Sequence, residues 1–72
     1  MDMEKWILTD NNSLINLKNV ESIVIDEDGD LVAEDVSGNL LVVYSNNEIE
    51  KVIGVLTKIA IWLKSDSAVF EV

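Results

Sequence analysis

The first 45 residues contain short, strand-like apolar runs, and turn-forming residues separate these runs at short intervals. Apolar runs of four to six residues between such turns are typical of β-strands. Because closely spaced hairpins place consecutive strands side by side, we predict one antiparallel sheet of about five strands with β-meander topology. The predicted strands are residues 5–9, 14–17, 22–25, 31–36 and 40–45.

The pattern changes from period 2 to period 3.6 after the last predicted strand. Ser45 stands three residues before Glu48, which is the spacing of a capping box at a helix N-terminus. An amphipathic helix follows, and its apolar stripe should cover one face of the sheet. We therefore predict a single small α+β domain over residues 1–72. The apolar stripe consists of Ile49, Val52, Ile53, Leu56, Ile59, Ala60 and Leu63.

Two further apolar residues, Val55 and Trp62, widen the apolar arc of this helix to roughly 180°. Trp62 has two interpretations: it caps the edge of the core, or it anchors a partner, as large aromatic residues often do. The strand at residues 40–44 is apolar at successive positions, so both of its faces need cover. One helix covers only one face of a sheet. We therefore predict a homodimer with Val55 and Trp62 in the oligomer interface.

The composition limits the possible chemistry. The chain contains no Cys and no His, which excludes disulfides, thiolate or imidazole zinc sites, haem and the usual catalytic triads. The glycines at 29, 38 and 54 are isolated, so there is no glycine-rich phosphate loop. Paired carboxylates could act as acid and base only in a cleft that shifts one pKa. We expect no enzyme activity, no cofactor and no metal site.

The net charge of −9 is concentrated in the middle of the chain. Residues 19–50 hold nine acidic residues and no Lys or Arg. This excess argues against direct nucleic-acid binding, which depends on cations that neutralise phosphates. It suits a basic protein partner instead.

No segment has the pattern of a signal peptide or a membrane span. The longest apolar stretch, residues 52–63, is interrupted by Thr57 and Lys58 and is far shorter than the roughly 20 residues of a spanning helix. We expect a soluble, cytoplasmic protein that does not bind membranes.

The most acidic stretch is "VIDEDGDLVAED", residues 24–35. It partly matches a calcium-binding EF-hand loop, because setting Gly29 at position 6 puts acids at positions 3, 5, 7 and 12. Val24, at position 1, supplies no side-chain oxygen, and the flanking residues predict strands where an EF-hand needs helices. A calcium site is therefore the third of our interpretations.

The same stretch also predicts a hairpin with Asp28–Gly29 as a two-residue type I′ turn. That turn places Glu27 opposite Asp30, a like-charge pair that slightly destabilises the hairpin. The acids either form a solvated tip or serve a partner, since a cluster that opposes folding invites a functional interpretation. The candidate partner-binding residues are Asp26, Glu27, Asp28, Asp30, Glu34 and Asp35.

The segment "WILTDNNSLINLKNVESIVI", residues 6–25, and the Tyr44–Ser45 step before the helix resemble short uncharacterised proteins of bacteria and their phages. Those proteins open with Trp-Ile, a turn and a "LINL" or "LVNL" strand, and they end in a helix after a Tyr-Ser step. The resemblance implies the fold and a mobile-element origin. It transfers no catalytic residue.

The leading functional hypothesis is a non-enzymatic, self-associating interaction module that displays an acidic hairpin. The alternative is an inhibitor whose carboxylates imitate nucleic-acid phosphates and block a basic groove. Small phage anti-restriction and anti-CRISPR proteins resemble this chain in size and charge. Calcium binding by the acidic loop is the third hypothesis.

Overall fold

The computed structural model of the chain describes residues 4–72. The fold is α+β, with two three-stranded sheets and one helix near the C-terminus. A short 3-10 turn, Leu17–Asn19, joins the second strand to the third. The elements are β1 Trp6–Leu8, β2 Leu14–Asn16, β3 Val20–Ile25, β4 Leu31–Asp35, β5 Leu40–Tyr44, α1 Ile49–Trp62 and β6 Val69–Glu71.

The prediction of a single five-stranded sheet is wrong. The strands form two sheets, ordered β2-β1-β6 and β3-β4-β5. The predicted hairpin of β1 and β2 is present, but β6 pairs parallel with the other edge of β1. The connection at residues 17–19 explains the separation: Asn16 accepts the N–H of Lys18 at 3.0 Å, and the resulting 3-10 turn directs the chain away from β2.

The second sheet is an antiparallel meander of β3, β4 and β5. Its core face carries Ile23 and Ala33, and a bulge in β5 turns Val43 into the core. Helix α1 and the first sheet pack over this core face. The buried cluster that joins them contains Ile7, Ile15, Leu31, Ala33, Val43, Val52, Ile59 and Trp62.

The predicted capping box at the start of α1 does not form. Glu48 is the N-cap residue and makes no side-chain capping bond. Ser45 instead donates its hydroxyl to the Asp30 carboxylate at 2.7 Å, because the turn between β3 and β4 lies beside it. At the other end of the helix, the Lys5 ammonium donates to the Ser65 carbonyl at 2.8 Å, where a positive charge complements the helix dipole.

Candidate interaction surfaces

Helix α1 carries two parallel rows of apolar residues. The inner seam, Val52, Val55, Ile59 and Trp62, faces the core, and three of its four residues are buried. The outer seam occupies the adjoining arc of about 80° and lies at the margin of the core, where Leu56 packs against the core cluster. It consists of Ile49, Ile53, Leu56, Ala60 and Leu63, of which only Leu56 is not exposed.

The two residues that the sequence assigned to an oligomer interface belong to the inner seam. Trp62 is only 7% exposed, and its ring lies 5.6 Å from that of Phe70. The Lys5 ammonium lies over the same Trp62 ring, 4.8 Å from its centroid. Val55 is half-buried and packs against the core cluster. Of the two interpretations of Trp62, the structure shows the one in which it completes the core.

A groove of about 440 Å³ adjoins the outer seam. Its floor is formed where α1 passes β3, and Leu56, Ala60 and Leu63 line its helix side. Leu17 and Val20 line the opposite wall. The outer seam therefore adjoins the apolar part of the groove, whose lining also includes Glu21 and Ser22.

The turn between β3 and β4 differs from the predicted one by one residue of register. Ile25 pairs with Leu31, and the N–H of Asp26 donates to the Asp30 carbonyl at 2.9 Å, so the loop has three residues. The Asp26 carboxylate accepts the N–H groups of Asp28 and Asp30 at 3.0 and 2.9 Å. These bonds favour the longer loop, in which only Gly29 needs a positive φ, here 84°. The predicted pairing of Glu27 with Asp30 is therefore wrong.

The turn between β4 and β5 repeats this geometry. Asp35 accepts the N–H groups of Ser37 and Asn39, both at 2.9 Å, and Gly38 has a φ of 87°. The N–H of Asn39 holds the pKa of the Asp35 carboxyl below its ordinary value of 3.8, against an opposing effect of desolvation. The Asn39 side chain and the N–H groups of Ser37 and Gly38 lower this pKa further.

The six acidic candidate residues do not form one cluster. Two groups lie at opposite ends of β4, about 13 Å apart at 3.3 Å per residue. Glu27 and Asp28 are exposed at one tip, whereas Asp26 and Asp35 use their carboxylates to hold turns. Glu34 lies on the sheet face and approaches the Ser22 hydroxyl at 3.4 Å.

The acidic loop does not have the arrangement of a calcium site. Asp26 is occupied by backbone N–H groups, and Asp30 accepts the Ser45 hydroxyl. Among residues 4–72, no group of three or more acidic side chains could hold a metal ion. In the same part of the chain, α1 is too short to cross a membrane, and no other helix could do so.

The outer face of the sheet β3-β4-β5 carries a second apolar surface. Val24, Val32 and Val42 pair across the three strands and form a strip on the side away from α1. Val32 lies outside the core cluster, yet it is only 2% exposed because its two neighbours cover it. Leu40 extends the strip along β5, next to Glu34.

Sequence reasoning missed the outer seam because it assigned its residues to the core. The available signal was the width of the apolar arc: one sheet covers roughly half of a 180° arc. It also missed the repeated turn, although "DEDGD" and "DVSGN" both place Asp three residues before Gly.

No family model, curated protein or solved structure matches the chain. The resemblance to short bacterial and phage proteins therefore rests on the sequence alone.

Proposed function

We propose that this protein is a non-enzymatic interaction module that forms a homodimer through the outer seam of α1 and displays its acidic sheet to solvent. The observation that carries the proposal is the outer seam itself. Five apolar residues follow one another at intervals of four, three, four and three, and Ile53 is 49% exposed. This spacing is the a/d pattern through which two helices pack.

The outer seam runs along the whole helix, a length of about 21 Å at 1.5 Å per residue. Stable interfaces bury about 800 Å² per partner, and the chain exposes 4959 Å² in total. Helix packing alone covers less than that area, so the groove beside β3 must contribute. Leu17 and Val20 supply the apolar surface there.

Charge favours an antiparallel arrangement of the two helices. Glu50, near the start of α1, and Lys64, just past its end, project on the same side of the outer seam. A two-fold axis at Leu56 brings Glu50 of one copy beside Lys64 of the other, twice. A parallel pair would keep Glu50 and Lys64 at opposite ends of the interface and would lack this attraction. Antiparallel packing also pairs opposite ends of the helix dipoles.

Net charge favours α1 over other surfaces as the site of self-association. Residues 49–64 hold three Lys and one Glu, whereas residues 20–44 hold seven acids and no Lys or Arg. Two copies repel each other least where their like charges are fewest. A second copy is therefore the occupant we assign to the outer seam.

The test compares two isoleucines of the same helix by sedimentation equilibrium. Ile53 lies on the outer seam, and Ile61 is 67% exposed on another face. We expect the wild type to dimerise at about 10–100 μM, in the range of small interfaces. Ile53→Glu should be a folded monomer, while Ile61→Glu should remain a dimer. A monomeric wild type, or equal effects of the two substitutions, would contradict the proposal.

A nucleic-acid-mimicking inhibitor is the second candidate, and the run of nine acids without a basic residue at 19–50 favours it. Among the six acidic candidate residues, Glu27 and Asp28 are the two that are exposed, which suits contact with a basic groove. The test is binding to a basic DNA-binding protein in competition with duplex DNA. Replacing both residues by their amides should weaken that binding, and equal binding by the variant would exclude these two carboxylates as phosphate mimics.

A further inference from the structure

Strand β5 is an edge strand with little cover. It is the last strand of the sheet β3-β4-β5, and Leu40, Leu41 and Val42 are all exposed. At its C-terminal end the edge is closed, because the N–H of Asp10 donates to the Val43 carbonyl at 3.4 Å. Within residues 4–72, the edge is thus open over residues 40–42.

The alternation of hydrogen-bonded and non-bonded pairs in the β4–β5 hairpin identifies the backbone groups of β5 that point outward. The N–H of Asp35 donates to the Asn39 carbonyl at 2.9 Å, so this pair is hydrogen-bonded. Because hydrogen-bonded and non-bonded pairs alternate in an antiparallel ladder, Leu41 bonds to β4. The N–H and C=O groups of Leu40 and Val42 therefore face away from the sheet, where an added strand could reach them.

The side chains beside this edge define the chemistry of the added strand. The strip of Val24, Val32 and Val42 ends at the edge, so an apolar side chain on an added strand would continue it. Carboxylates stand at both ends of the open stretch. Asp35 lies at one end, and Asp10 at the other accepts the N–H of Ser45 at 3.1 Å.

We propose that the open edge of β5 binds an extended segment of a partner protein in which basic and apolar residues alternate. The backbone of the segment would pair with Leu40 and Val42, its apolar side chains would extend the valine strip, and its basic side chains would reach the flanking carboxylates. Strand addition to an exposed edge is a general mode of peptide recognition. A second copy fits poorly, because two acidic sheets would meet edge to edge.

The probe is a synthetic peptide of about eight residues, a common strand length, that alternates Lys and Val. Binding is measured by fluorescence anisotropy, together with amide chemical-shift mapping on the protein. We expect the largest shifts at residues 40–42. Peptides that alternate Glu and Val, or Lys and Ser, should bind at least roughly tenfold more weakly, because each loses the charge or the apolar contribution.

Two matched variants locate the site on the protein. Val42→Lys puts a positive charge on the edge, a change that edge strands tolerate, and should weaken binding of the Lys-Val peptide by about tenfold or more. Val36→Lys makes the same charge change in the β4–β5 turn, at a side chain that is 70% exposed. Val36→Lys should change the affinity for the Lys-Val peptide by no more than about twofold, because the new charge lies at the rim of the site.

Equal weakening by the two variants would show general electrostatic attraction and overturn the proposal. So would chemical shifts centred on α1, or dissociation of the dimer by Val42→Lys, since β5 would then be the self-association surface. The inference does not depend on the proposed dimer: the Ile53→Glu variant should bind the peptide as the wild type does. Loss of self-association in the Ile53→Glu variant and loss of peptide binding at β5 are therefore separate outcomes.

Discussion

Helix α1 and the sheet β3-β4-β5 both leave apolar surface uncovered, but the charges around the two surfaces differ. The outer seam of α1 lies in a segment that is weakly basic, and the valine strip lies in a sheet with seven acids and no basic residue. Apolar area favours association in both places. In our proposals the surrounding charge determines the partner of each surface: a second copy for the helix and a basic segment for the sheet.

The same comparison applies within the helix. The inner and outer seams contain similar residues, yet Ile59 is buried and Ile53 is half exposed. The difference lies in what stands opposite each residue: Ile59 packs in the core cluster that both sheets share, whereas Ile53 is half exposed to solvent. Similar side chains on one helix therefore serve folding in one row and, in our proposal, assembly in the other.

The largest expected effect separates the two seams by stability. Ile59→Ala should lower the free energy of unfolding by about 2–5 kcal/mol, because it leaves a cavity in a packed core. Ile53→Ala should change it by less than about 1 kcal/mol in the monomer, since the side chain is half exposed. Urea denaturation at low protein concentration measures both. Equal losses would show that the seams are not distinct.

Added salt should change the strength of binding at the two surfaces in opposite directions. Raising NaCl from about 0.05 to 0.5 M shortens the Debye length severalfold. Self-association should strengthen, because screening reduces the repulsion between two chains of charge −9, while binding of the Lys-Val peptide should weaken. Sedimentation equilibrium measures self-association, and fluorescence anisotropy measures peptide binding, in the same two buffers. A common direction for both would show that the surrounding charges do not distinguish the partners.

A smaller effect is expected at Gly54, which lies on neither seam. A Cβ at this position would meet no atom within 4 Å, so the glycine is not required by a close neighbour. Gly54→Ala should raise the free energy of unfolding by about 0.5–1 kcal/mol through helix propensity. Thermal unfolding tests this, and the dimer dissociation constant of the variant should match that of the wild type. Weaker dimerisation would place Gly54 in the interface.

The smallest effect concerns the sheet turn at Asp35. Its folded pKa is lowered, so the carboxylate contributes stability above the ordinary value of 3.8 that is lost as pH falls through the folded pKa. Asp35→Asn keeps an acceptor for the turn but cannot titrate. The difference in Tm between wild type and variant should therefore shrink from about pH 5 to about pH 3. A constant difference would show that the charge of Asp35 has no part in the turn.

Local features of the fold could be predicted from the sequence. Five of the six strands and the helix lie close to their predicted positions, because period, turn residues and helix formers act over a few residues. Pairing between β1 and β6 could not be predicted. It joins residues about 60 positions apart, and the tail at 65–72 carries no signal that distinguishes a strand from a frayed end.

The candidate site was only partly predictable for a related reason. The sequence located the acids and the width of the apolar arc, but not how they are used. The hydrogen bond from the Asp30 N–H to the Asp26 carboxylate fixes the register of the turn between β3 and β4. Contact with Phe70 places Trp62 in the core. Both depend on the direction of side chains in the folded chain. Their consequence is that Val55 and Trp62, which the sequence assigned to an oligomer interface, lie in or against the core cluster.

The most direct test of the antiparallel outer-seam dimer uses the absence of cysteine from the chain. Single cysteines placed at Leu56, Ile49 and Leu63, with Ile61→Cys as the off-seam control, report distances between copies by disulfide formation. In the proposed dimer Leu56→Cys should cross-link to itself, because disulfides need Cα atoms within about 7 Å. Ile49→Cys alone should not, since its own copy lies about 21 Å away along the helix.

A mixture of Ile49→Cys and Leu63→Cys should form the mixed disulfide and little of either symmetric one. That pattern is the result predicted for two helices packed antiparallel along the outer seam. Efficient cross-linking of Ile49→Cys to itself would show a parallel pair. If no seam position cross-links faster than Ile61→Cys, the outer seam does not hold a second copy.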